Sequence, residues 1–150
     1  MKRLTASLRL LTSTFAMSLA MVPAWAQSAP APAPASVLSL ELNAAQPSEK
    51  GCRLTFVVNN ALGADLSKAA FEIALFNEAG VVDRLTVLDF KDLPAGKTKV
   101  TRFDLSGADC GKLSRVLINS ATECAGSGVD PAVCMRALKT STRTAIAFGI

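Results

Sequence analysis

The sequence predicts an all-β domain, an antiparallel β-sandwich with a short C-terminal helix. Three observations predict it. Residues 71–105 alternate apolar and polar side chains with a period of two, broken by turn residues at 77–80 and 92–96. Two further alternating runs precede that stretch and one apolar run follows it, at spacings too short for intervening helices. Near the C-terminus, Asp130-Pro131 is a helix-start signal, with Asp130 as a cap and Pro131 at the first helical position.

Taken in order, residues 1–26 read as a secretory signal peptide. Lys2, Arg3 and Arg9 supply the positive region. An apolar stretch follows, and Ala24-Trp25-Ala26 fits a small-x-small cleavage site. The apolar stretch is short and interrupted by Thr12, Ser13, Thr14 and Ser18, which disfavours a membrane anchor. Residues 27–36 alternate Ala and Pro and read as an extended linker. Residues 37–150 are left for one small domain.

Within that domain, Leu38, Leu40 and Leu42 alternate with Ser39, Glu41 and Asn43 in a first strand. A turn at 46–51 leads to a second strand at 52–60, with Leu54, Phe56 and Val58 on one face. A loop follows at 59–67, with a helical turn expected near Asp65. Residues 71–76, 81–90 and 97–105 form three strands, expected to be a β-meander. A sixth strand covers 113–120, centred on Val116-Leu117-Ile118. Helix is expected over 132–138 and a final strand over 142–148. The expected core is Leu38, Leu40, Leu54, Phe56, Val58, Phe71, Ile73, Leu75 and Leu117.

The chain carries 16 Lys and Arg against 12 Asp and Glu, but three of the basic residues precede Gln27. Cleavage would leave a charge near +1 and no basic stripe, which excludes electrostatic nucleic-acid binding as an expectation. With no His, catalysis by Ser-His-Asp or Cys-His and His-ligated metal centres are excluded. No phosphate-binding glycine loop or Gly-x-Ser-x-Gly elbow is present. No cofactor is expected. Asp83, Asp89, Asp92, Asp104 and Asp109 are scattered near strand ends; an acid–base pair or a calcium cluster among them is the minor reading beside solvated surface charge. Lys97, Lys99, Arg102 and Arg84 read as a solvated sheet face rather than an anion site. Phe76, Phe90 and Phe103 are candidates for a partner-binding patch, the competing reading being a second layer of core.

Four cysteines, Cys52, Cys110, Cys124 and Cys134, in an exported chain predict two disulfides, and three pairings are open. The absence of Cys-x-x-Cys argues against a redox-active pair. The long spacings and absent His argue against zinc.

Phe71-Glu72-Ile73-Ala74-Leu75-Phe76-Asn77-Glu78-Ala79-Gly80-Val81-Val82, then Leu93-Pro94-Ala95-Gly96-Lys97 and Phe103-Asp104-Leu105, resemble the FxLYD type of immunoglobulin-like bacterial envelope domain over about residues 37–120. At the signature itself this chain has Leu75-Phe76-Asn77, without Tyr or Asp. The chain is also similar to small exported proteobacterial proteins. The resemblance implies an immunoglobulin-like order, in which strand two runs antiparallel to strand five. That order sets Cys52 near Cys110 and leaves Cys124 and Cys134 to close a local loop.

The functional expectation is a non-enzymatic periplasmic or secreted module that contacts another envelope protein, with no membrane association after cleavage. The alternative is a carrier for a small ligand, which requires a cavity between the sheets.

Overall fold

The computed structural model describes residues 36–150; the expected signal peptide and nearly all of the expected linker lie outside the described residues. Eight strands form: β1 (Val37–Ser48), β2 (Gly51–Ala61), β3 (Leu66–Asn77), β4 (Val82–Leu93), β5 (Thr98–Ser106), β6 (Leu113–Ala125), β7 (Leu138–Thr142) and β8 (Ala147–Gly149). A 3-10 turn, Cys110–Lys112, precedes β6, and one short helix, α1 (Val133–Arg136), precedes β7. The strands lie in two sheets, ordered β5-β2-β1-β7 and β4-β3-β6-β8. One apolar core draws on both sheets: Leu38, Leu40, Leu54, Phe56 and Val58 from the first, Phe71, Ile73, Leu75, Leu88 and Phe90 from the second.

The expected meander over 71–105 does not form. β3 and β4 pair as a hairpin, but β5 pairs with β2 in the opposite sheet. The turn after β4 explains the switch. Gly96 donates its N–H to the Asn60 carbonyl at 2.7 Å, and the Asn60 N–H donates to the Lys97 carbonyl at 3.2 Å. The chain leaving Leu93 is thus captured by the end of β2 instead of folding back on β4.

The fold is also not wholly antiparallel. The strand expected over 142–148 does not form as such. Residues 143–146 are a bend, β7 lies almost wholly before it and includes Leu138, expected in the helix, and β8 takes only the end of the expected strand. Both strands pair in parallel, β7 with β1 and β8 with β6. Between them the Arg143 N–H donates to the Leu42 carbonyl, and the Thr144 hydroxyl accepts from the Ile146 N–H. These bonds hold the crossing between sheets.

Leu117 is half-buried instead of central to the core; Val116 and Ile118 point inward. The cause is a bulge. Asn77 pairs with Leu113 and Phe76 with Arg115, so Ser114 is an extra residue that reverses the side-chain parity of β6. Its hydroxyl donates to the Asn77 carbonyl at 2.5 Å.

The helical turn expected near Asp65 is absent. The Asn60 side chain shapes that loop instead, donating to the Ala64 carbonyl and accepting from the Leu62 N–H. α1 is shorter than expected. Asp130 is not its cap and Pro131 is not its first residue: Ala132 holds the N-cap position without a side-chain bond. Both residues lie in the preceding turn, where the Asp130 carboxylate accepts from the Ala132 N–H and from Arg136.

β1 runs through the expected turn to Ser48, and the hairpin closes at Gly51. Its φ of +147° and the nearness of the Leu105 carbonyl to any Cβ restrict the position to glycine.

Two disulfides form, Cys52–Cys110 and Cys124–Cys134, with Cα separations of 5.0 and 5.9 Å. The first follows from register, since Cys52 stands opposite Leu105 on β5 and Cys110 lies just beyond.

Candidate interaction surface

The two outer faces differ in chemistry. On the β5-β2-β1-β7 sheet the outward side chains are mostly polar and paired. Arg53 grips Asp104 through two bonds of 2.9 and 3.1 Å, and Arg143 donates to Glu41 at 2.9 Å. Hydrogen bonding from Arg53 holds the Asp104 carboxyl below the ordinary aspartate range and raises the guanidinium in turn.

The other outer face is apolar along one margin. Leu85 and Val87 alternate outward from β4 and are 56% and 51% exposed, and Val82 is 49% exposed. Behind them on β3 lies Ala74, flanked by Leu85 on one side and Leu117 on the other. Phe76 completes the margin, with the Arg115 guanidinium 5.6 Å from its ring centre, within cation–π range.

The structure does not bring Phe76, Phe90 and Phe103 together on a surface. Phe90 is 1% exposed and Phe103 packs on the core. Their rings are 5.0 Å apart and both meet Phe56, which also contacts Phe148. This filled aromatic layer occupies the space between the sheets that a carrier would keep open. Only Phe76 belongs to the outer margin. A signal for the neighbouring residues was present in the sequence. In β4, Leu85 and Val87 have one parity while Leu88 and Phe90 have the other. A strand apolar on both faces in a two-layer fold leaves one apolar face without a layer over it.

The carboxylates singled out in the sequence do not converge. Asp83 pairs with Arg84, Asp89 with Lys91, Asp92 with Lys99 and Asp104 with Arg53. The Asp109 carboxylate accepts from the Gly111 N–H. Hydrogen bonding from Lys91 draws the Asp89 carboxyl down. Among the described residues, no group of three His, Cys, Asp or Glu is placed to hold a metal ion.

The four cations likewise fail to form one face. Lys99 reaches from β5 to the carbonyls of Phe90 and Asp92 at 3.2 and 2.8 Å, and Arg84 reaches from β4 to the Ser106 carbonyl at 2.8 Å. These two cations bridge the gap between the neighbouring edges of the sheets. A surface hollow of about 610 Å³ opens at the β1–β2 hairpin, lined by Pro47, Ser48, Glu49, Lys50, Arg53 and Asp104.

No family model and no curated protein matches this chain. Among solved structures, the Salmonella enterica trimeric lipoprotein SadB is similar at a TM-score of 0.41 and 18% identity, over 47% of this chain and 40% of that one.

Proposed function

We propose that the chain is an exported, non-enzymatic module with an immunoglobulin-like arrangement of strands, acting in the cell envelope by protein–protein contact. The contact surface is the β4 margin of the β4-β3-β6-β8 sheet. One observation carries this reading: Val82, Leu85 and Val87 are large, apolar and about half exposed within one short segment, beside a core that has no need of them. Solvent exposure of grouped apolar side chains marks interaction surfaces. Two disulfides support an oxidising compartment, as does the leader read from the sequence. The pairing of the named carboxylates with neighbouring cations or backbone supports a non-catalytic role.

The test is site-specific photo-crosslinking in intact cells. A photoreactive residue at Val87 should give discrete protein adducts. The same residue at Val100, somewhat more exposed and on the opposite sheet, should give none. Equal yields at both positions, or none at Val87, would overturn the reading.

A further inference from the structure

We propose that residues 82–88 of β4 form a strand-addition edge that receives the same stretch of a second copy, antiparallel, about a two-fold axis at Thr86. The proposal rests on the contact-surface reading above and names its partner.

The two sheets have four edges, and three are defended. β7 and β8 are five and three residues long, too short to template another strand. β5 carries Arg102 and Asp104 outward, charges that oppose stacking of a foreign strand. β4 is a twelve-residue edge, and its C-terminal part is the more heavily protected. There Lys99 occupies the Phe90 and Asp92 carbonyls. Lys91 adopts φ +63°, and the pairing of Ala69 with Lys91 and Ala70 with Asp89 marks a bulge. Asp89 also takes the Lys91 N–H. Near the N-terminal end a second bulge falls at Asp83, since Leu75 pairs with Arg84 and Phe76 with Val82; from Arg84 to Leu88 the pairing with β3 is regular. Among the described residues, no side chain bonds the backbone of 82–88, and Leu85 and Val87 point outward from it, with the exposed Asp83 and its partner Arg84 at one end. An edge strand offers alternate N–H and C=O groups to any extended chain beside it.

The side-chain order of the stretch is self-complementary. With the axis at Thr86, Leu85 of each copy stands opposite Val87 of the other on the outer face, so the apolar pair occurs twice. Asp83 then meets the facing Asp89, whose carboxylate Lys91 holds at 2.6 Å with its own side chain 70% exposed. That ammonium is free to serve both carboxylates. An axis at Leu85 would set Val87 against Asp83, and an axis at Val87 would set Leu85 against Asp89. The Thr86 axis alone among these matches apolar with apolar and acid with an acid–base pair. Two-fold pairing of one patch with itself is the commonest form of closed oligomer.

Sedimentation equilibrium of the purified, disulfide-bonded protein is expected to give twice the chain mass. Leu85→Lys and Val87→Lys should each halve it without lowering the melting temperature, whereas Val100→Lys should leave the dimer intact. Hydrogen exchange provides a readout independent of variants: outward amides within 82–88 should lose protection on dilution. For register, chains carrying Leu85→Cys and Val87→Cys, oxidised as a mixture, should give mainly the mixed disulfide, identifiable by mass. A monomer at every concentration, exchange independent of concentration, or a predominance of self-linked chains would overturn the proposal. If the protein is monomeric yet Val87 still cross-links to a different protein, the second-copy partner fails and the contact surface stands. If Val87 cross-links to nothing, the contact surface fails as well.

Discussion

The side-chain amide of Asn60 donates to the carbonyl of Leu93 at 2.7 Å, tying the end of β2 to the end of β4 across the two sheets. The same amide donates to Ala64, and its oxygen accepts from Leu62. Asn60 is 1% exposed and Leu93 is buried, so the Leu93 carbonyl would be left without a partner on its removal, while Leu62 and Ala64 are half-buried. Leaving a buried polar group unpaired costs about 1–3 kcal/mol. Asn60→Ala is therefore expected to destabilise by about 3 kcal/mol in urea unfolding. Asn60→Asp should be at least as costly at neutral pH, because a carboxylate cannot donate to the Leu93 and Ala64 carbonyls. It should recover partly in acid as the carboxyl gains a proton.

That residue also shows why the topology was harder to read than the strands. Alternation located six strands to within a few residues, since each has one face in a shared core. What alternation cannot convey is which neighbour a strand chooses. The Leu93-Pro94-Ala95-Gly96 turn suits a hairpin and a crossing between sheets equally well. The choice falls to Asn60, far away in the chain. β8 was legible only as β-prone sequence and β7 was missed apart from Thr142, because parallel pairing leaves no turn signal beside the strand. The Leu117 misplacement has a similar origin: one extra residue, Ser114, inverts the side chains from Arg115 to Ile118. For the surface, the phenylalanines drew attention by size. Size favours burial, and the exposed strip is made of Val and Leu instead.

The disulfides should contribute unequally. Cys52–Cys110 spans 58 residues and Cys124–Cys134 spans 10. Closing the longer loop restricts the unfolded chain more, about 4 kcal/mol against about 3 kcal/mol by loop-closure entropy. Paired substitution to Ala at 52 and 110 is expected to lower the guanidinium midpoint further than the same change at 124 and 134. Equal losses would show that native-state contacts outweigh chain entropy here.

Phe90 and Phe76 lie on opposite faces of one sheet and offer a direct contrast. Phe90→Ala removes a ring in contact with Phe56, Phe71 and Phe103. A cost of about 3–5 kcal/mol follows from the lost burial and the cavity left behind. Phe76→Ala, at the half-buried margin, should cost far less in thermal unfolding while weakening whatever contact that margin makes.

The pH dependence should be confined to acid. Asp104, Asp89, Asp130 and Glu41 all have carboxyls lowered by hydrogen bonds from neighbouring groups. A group lowered in the folded state adds stability above its unfolded value and loses it as pH falls through the folded one. Without His, no side chain of ordinary pKa titrates between about pH 5 and 8. The urea midpoint is expected to be flat there and to decline below about pH 4. The pairs are exposed, so the decline should be shallow, and Asp104→Asn should make it shallower. Arg53 and Lys68 are raised by their partners and lose that contribution only as the medium becomes strongly alkaline.

Lys99 offers a test of how the defended part of the β4 edge is held. Its ammonium donates to two carbonyls on the neighbouring edge and pairs with Asp92 at 3.2 Å, while its stem lies along the gap between sheets. Lys99→Met keeps most of the stem and removes the donors; Lys99→Ala removes both. If the hydrogen bonds close the gap, Met and Ala should each lose about 1–2 kcal/mol. Both should also associate more readily at high concentration, because the unprotected edge would then extend from Val82 to Leu93. If Met retained full stability and solubility, the stem alone would be what matters. The edge would then owe its protection to the bulge at Lys91, and replacing Lys91 with a β-branched residue, which resists its positive φ, would expose it instead.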